Sequence, residues 1–316
     1  MPGSSIEFRV VILAVVLAIL GIATFLSDYD LRLAILAILA AISVIGLYFA
    51  FGLAGMIHLA QGAFVGIGAY FSAVLVLRTG LSPWITVLIA TAATTLISAL
   101  LAYPMHRTKS HYLALITVGF NVSFEVIIRN WISMTGGYDG IGGIPLLRIG
   151  TPLRSELEFF YIAVAALIVC ALIASLLRTS HIGRAMVAVR DDELAAAASG
   201  INVARTKTLA FVICSGYGGL SGALYAHYSG FISPDDFSLG RSIILLSMLI
   251  VGGEFSILGA IVGAVVLSYL PEWLRFVGGG YMAVFGLLML GVLIIMPNGI
   301  MGSLRSRWRL AMSKDR

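Results

Sequence analysis

SHIGRAMVAVRDDELAAAASGINVARTK, residues 180–207, is a charged, helix-forming island set between two long apolar runs. It carries Arg184, Arg190, Asp191, Asp192, Glu193, Arg205 and Lys207 interleaved with alanines. Such a segment is either a solvated loop or a docking element, and its flanks decide which fold it belongs to. Residues 159–177 and 208–229 are each close to the roughly 20 apolar residues that cross a hydrocarbon core of about 30 Å.

Similar runs recur outward from the island at 10–26, 31–51, 56–77, 83–103 and 112–130, and again at 281–296. Residues 242–271 are apolar but broken by Gly252, Gly253 and Glu254. As helix they would span about 45 Å at 1.5 Å per residue, too short for two full crossings and long for one. A hairpin of two short helices, or one broken helix, is expected there. Composition agrees: 60% of the 316 residues are hydrophobic and 11% charged, against about 25% charged in soluble domains. The fold class is therefore an all-α, polytopic transmembrane helical bundle of about 8–10 spans, forming a single domain over 1–316. The run from Val10 to Leu26 is long for a signal peptide and lacks a small-x-small exit, so it reads as an uncleaved first span.

Basic residues favour cytoplasmic loops. With the N-terminus inside and 242–271 returning to the side it left, 13 of the 20 lysines and arginines fall inside, among them Arg178, Arg184, Arg190, Arg205, Lys207 and the basic tail at 304–316. The outside loops collect Asp28, Asp30, Asp139, Glu156, Glu158, Asp235, Asp236 and Glu272. Both termini and the loop at 178–207 are thus expected in the cytoplasm. The scattered basic residues lack stacking aromatics, so topology explains them and a nucleic-acid partner is not expected.

The chemistry of catalysis is missing from the sequence. All three lysines, Lys109, Lys207 and Lys314, follow Thr or Ser, so there is no Gly-Lys phosphate loop. HExxH and CxxC are absent and the five histidines are dispersed, which predicts no metal site, cofactor or catalytic residue. Cys170 and Cys214 both fall within spans and read as packing residues. The run GGYDGIGG at 136–143 reads as a shaped outer turn.

Polar groups inside apolar spans are costly, and the candidates for a substrate pathway are His58, Gln61, Asn121, Glu125, Gly252, Gly253 and Glu254. Glu125 precedes Arg129 by four residues, the spacing of an intrahelical pair. His58 and Gln61 are read as one helical turn apart, lining a cavity or bridging helices. Glu254 follows a glycine break of the kind that lines cavities at membrane depth. GxxxG pairs at Gly62/Gly66, Gly218/Gly222 and Gly259/Gly263 predict close helix contacts.

The blocks GLYFAFGLAGMIHLAQGAFVGIGAY (46–70), SHYLALITVGFNVSFEVIIRNWISMTGGYDGIGGIP (110–145), GRAMVAVRDDELAAAASGIN (183–202), AFVICSGYGGLSGALYAHYSGFISPDDF (210–237), SMLIVGGEFSILGAIVGAVVL (247–267) and IIMPNGI (294–300) occur in one order. Together they resemble the membrane-spanning subunits of branched-chain amino acid ATP-binding cassette importers. Within that family the TGG-x-x-GI-x-x-IP loop is similar to one of the two permease types. The resemblance covers roughly residues 40–303.

What the resemblance implies is a permease in a bacterial inner membrane, paired with a homologous second permease, two cytoplasmic ATPases and an extracytoplasmic substrate-binding protein. It implies that the island is the coupling loop, with Gly183, Arg184, Arg190, Asp191, Asp192, Glu193, Leu194, Ala195, Ala196 and Gly200 as contacts around a helix near 190–200. The importer signature EAA-x3-G is met by Ala195, Ala196 and Gly200, while Leu194 stands where Glu is usual. An ion-coupled carrier is the alternative from another class, and urea or short amides are alternative cargoes within this one.

Overall fold

The computed structural model describes residues 26–105, 110–149, 155–274, 286–287, 291 and 299–303. The expected spans at 10–26 and 281–296 and the basic tail lie wholly or largely outside the described residues. The chain is helical with one small ribbon. Helix α1, Asp28–Leu47, starts on Ser27, whose Oγ accepts from the Asp30 amide, and its acidic first turn complements the helix dipole. It runs without a break into π-helical turns at Tyr48–Leu53. Then come α2 (Gln61–Thr79), α3 (Pro83–Met105), α4 (Ser110–Asn130), the short α5 (Ile132–Thr135) and α6 (Ser155–Thr179). The island folds as α7 (His181–Asp191) and α8 (Glu193–Ala198), followed by α9 (Val203–Ser229). The chain continues through α10 (Leu239–Gly252) and α11 (Ile257–Trp273).

Six of these helices are long and apolar enough to cross a membrane: 28–53, 61–79, 83–102, 112–130, 156–179 and 203–229. The chain is a multi-pass membrane protein. Its core sits where α1, α2 and α9 meet, around Tyr48, Phe49 and Phe64, all fully buried. Helices α3, α4 and α6 turn apolar faces outward, including Leu88, Leu115 and Leu176, each about 70% exposed. In water such faces would aggregate; against lipid tails they are at no disadvantage.

The region 242–271 resolves into the hairpin of two short helices. Helix α10 has 14 residues, about 21 Å, so it stops short of a full crossing. Helix α11 returns beside it. A methyl on Gly252 would stand 1.9 Å from the Gly259 carbonyl oxygen and one on Gly263 1.9 Å from that of Met248, so the two backbones touch. The other two GxxxG pairs also face neighbours: Gly62 meets Ser242, and Gly222 meets the Val65 carbonyl.

One expected span differs. Residues 54–60 are not helical, and α2 begins only at Gln61. Side chains from α4 satisfy this stretch: the Leu59 amide donates to Thr117 Oγ1 at 3.1 Å, and Asn121 Nδ2 donates to the Leu59 carbonyl at 3.3 Å. Irregular backbone is tolerated at membrane depth when protein supplies such partners.

Helix α9 has 27 residues, about 40 Å, and so separates two ends of the bundle. One end holds α7 and α8. The other holds an antiparallel ribbon, β1 (Ile141–Gly142) against β2 (Phe231–Ile232), with Ile141 opposite Ile232. Loop 136–143 is thereby a turn shaped by glycines and pinned by the ribbon.

Candidate functional site

Helix α7 is amphipathic. Ser180 caps it, accepting from the amides of Ile182 and Gly183, and its buried face is Gly183, Met186 and Val189. Gly183 lies so close to the end of α6 that a methyl would stand 2.3 Å from the Arg178 carbonyl oxygen. Arg184 Nη1 donates to the Thr179 carbonyl at 2.8 Å, which ties the two helices again. Asp192 then breaks the chain direction and caps α8, accepting from Leu194 and Ala195 amides at 2.8 and 3.0 Å. Glu193 pairs with Lys207 at 2.5 Å, and Gly200 closes the unit at φ +83°, a conformation costly for any residue with a β-carbon.

The ten predicted coupling residues therefore divide. Gly183 and Arg184 anchor α7 to α6. Arg190, Asp191, Asp192 and Glu193 are charged but engaged within the chain. Ala195, Ala197 and Ala198 are exposed, Ala196 is buried, and Leu194 projects with 84% of its surface open.

Arg190 reaches inward from the island. Its Nη1 donates to the Gly52 carbonyl at 2.8 Å, its Nε and Nη2 bind Asp191 Oδ1, and its guanidinium stacks 4.7 Å from the Phe255 ring centroid. Gly52 ends the π-helical turns of α1; Phe255 lies at the tip of the α10–α11 hairpin. The two elements also meet directly, because a methyl on Gly52 would stand 2.1 Å from the Glu254 carbonyl oxygen. A cavity of about 410 Å³ beside this junction is lined by Arg178, Arg184, Arg190, Tyr48 and Phe255. Sequence reasoning placed Arg190 at an outer contact and missed Gly52 and Phe255; neither carries a local signal of this pairing.

The seven predicted pathway residues fall into three places. Gln61 is fully buried and staples α1, α2 and α9: its Nε2 donates to the Ser43 carbonyl and Oγ and to the Cys214 carbonyl, while Cys214 Sγ donates to Gln61 Oε1 at 3.1 Å. Asn121 donates to Ser242 Oγ at 2.6 Å, and that oxygen also accepts the Gly62 amide at 2.8 Å, joining α4, α2 and α10. His58 is buried against Phe211 and Phe64, outside any helix, and neither ring nitrogen has a partner among the described residues. The helical-turn relation expected between His58 and Gln61 does not exist, because α2 starts after His58.

Glu125 lies near the opposite end and pairs with Arg129 at 2.7 Å, as the spacing predicts. Arg129 also bonds Asp235 at 2.7 Å, a contact over 106 residues that spacing could not reveal. Gly252, Gly253 and Glu254 form the hairpin tip at the Arg190 end. Arg241 was missed as well. It is the sole lysine or arginine between residues 230 and 271 and directly precedes an apolar run, which is a signal the sequence does hold.

The described chain is a bundle of long apolar helices with a short capped alanine helix at one end. The family model for the branched-chain amino acid transport system permease component matches residues 30–297. The chain belongs to that permease family. It is 29% identical to the high-affinity branched-chain amino acid transport system permease protein LivM of Salmonella typhimurium and to that of Escherichia coli K12, covering 98% of this chain and 78% of each relative. The permease protein LivH of Escherichia coli K12 is also 29% identical, over 83% of this chain and 91% of its own. No solved structure matches the chain. The family assignment accounts for an all-helical transport subunit.

Proposed function

We propose that this chain is one of two homologous permease subunits of an ATP-driven importer for branched-chain, hydrophobic amino acids. The relatives named above support the cargo class. In this reading the protein lies in a bacterial plasma membrane with its termini and the 178–207 loop in the cytoplasm. Two ATPases seat on α8, and a binding protein delivers cargo at the ribbon end.

The observation that carries the reading is the Arg190 junction. It ties the element available to an ATPase to the π-helical turns at Tyr48–Leu53 and to the hairpin tip. π-Helical turns within α-helices are frequent at functional positions. Closure of the ATPases would move α8, and Arg190 would carry that displacement to α1 and α10–α11, switching the pathway between its two openings.

The test is reconstitution of the chain with its partner permease, ATPases and binding protein in proteoliposomes. Uptake of radiolabelled L-leucine that requires ATP and persists when the proton gradient is collapsed is expected. Uptake that survives removal of the ATPases and collapses with the gradient would establish an ion-coupled carrier instead.

A further inference from the structure

At the ribbon end, remote from α8, a cavity of about 390 Å³ lies between α1, α2, α9, the turn at Pro234–Phe237 and α10. Its size falls in the roughly 300–1,000 Å³ range of small-molecule sites. Its lining mixes two chemistries. Leu36, Ala40, Val65 and Ile244, drawn from three helices, are apolar. Asp235, Asp236, Arg241 and Tyr225 line the same cavity.

The polar lining is held in place from outside. Asp235 is fixed by Arg129, and Asp236 Oδ2 accepts from both the amide and the hydroxyl of Ser233, so the turn that presents the carboxylate is rigid. Arg241 is different. It lies within the fields of Asp236 and Tyr225, yet among the described residues no hydrogen bond engages its guanidinium. A partly buried guanidinium facing a cavity without a ligand of its own leaves five donors in a planar fork, which suits a carboxylate.

We propose that this cavity binds a zwitterionic α-amino acid with a branched aliphatic side chain, Arg241 taking the α-carboxylate, Asp236 the α-ammonium, and the Leu36, Ala40, Val65 and Ile244 wall the side chain. With Asp235 taken up by Arg129, the cavity offers one cation, one remaining carboxylate and apolar side chains, which match all three parts of such a molecule. A monoanion would bring no cation to Asp236, and a neutral amide would bring no charge to either group. The inference rests on the importer reading above.

The experiment uses the complete transporter in proteoliposomes with radiolabelled L-leucine and L-valine. Arg241→Gln lowers the uptake of both at least about tenfold, as loss of a charged partner predicts, and Arg241→Lys recovers part of it. Ile244→Trp narrows the apolar wall and lowers leucine uptake more than valine uptake, by about tenfold for one methylene. Co-purification of partner subunits checks assembly, and if Arg241→Gln does not assemble, the leucine-to-valine ratio of Ile244→Trp decides. Wild-type uptake in assembled Arg241→Gln, or an unchanged ratio in Ile244→Trp, overturns the site and leaves the importer reading standing. A wild-type complex that hydrolyses ATP but moves neither amino acid defeats that reading and this site together.

Discussion

Arg190 donates to the carbonyl of Gly52 at 2.8 Å, so a helix at the end of the bundle is bonded to the π-helical turns that finish α1. A charge-assisted bond of this kind contributes about 1.5–3 kcal/mol, and cation–π contact with Phe255 adds about 0.5–2 kcal/mol. Those energies are large enough to transmit a displacement and small enough to break. Arg190→Ala is expected to leave ATP hydrolysis by the assembled transporter within about twofold of wild type while uptake falls at least tenfold. Arg190→Lys recovers little, since an ammonium cannot bond and stack at once. A parallel fall in hydrolysis and uptake would show that Arg190 serves assembly and not transmission.

Leu194 is expected to matter only in the assembled transporter. Its side chain is 84% exposed, so Leu194→Ala removes no contact within the chain and improves helix propensity slightly. Thermal stability of the isolated permease should not change. Co-purification of the ATPases should drop, because burying a leucine at an interface contributes about 1.5–3 kcal/mol. An undiminished ATPase yield would remove α8 from the interface.

Two glycine substitutions make a matched pair. Gly222→Ala places a methyl 1.8 Å from the Val65 carbonyl oxygen and is expected to destabilise by about 1–3 kcal/mol. Gly119→Ala lies within α4 with open space around it and is expected to stabilise by about 0.5–1 kcal/mol. Melting of the detergent-solubilised protein distinguishes them by opposite signs of the shift in Tm.

Asn121→Ala should destabilise by about 1–3 kcal/mol, because it removes the side-chain donor to the buried Leu59 carbonyl and one of the two donors to Ser242 Oγ. Arg129→Ala should cost less, about 1 kcal/mol or under, since its Asp235 partner is exposed and its Glu125 pair is only partly buried. Urea titration of the two variants side by side gives the order, and equal midpoints would refute it.

The bundle could be read from the sequence because lipid imposes a length on every span, and the hairpin could be read because Gly252 and Gly253 interrupt one. The Glu125–Arg129 pair followed from helical spacing alone. His58 was misplaced for a physical reason: apolar residues continue through 54–60, so hydropathy does not register that Thr117 and Asn121 have taken over the backbone bonds a helix would make. Partners distant in sequence left no trace. Nothing near Arg190 announces Gly52, and nothing near Arg129 announces Asp235.

The contact between α2 and α9 has a mechanical consequence. A methyl on Gly68 would stand 2.1 Å from the Gly219 carbonyl oxygen, and Gly222 meets Val65 in the same way, so two main chains touch with no side chains between them. Interdigitated side chains can slip by changing rotamer; bare backbones have no such bearing. These two helices must therefore travel as one stator, and any rocking has to occur where side chains supply the clearance, in the outer helices.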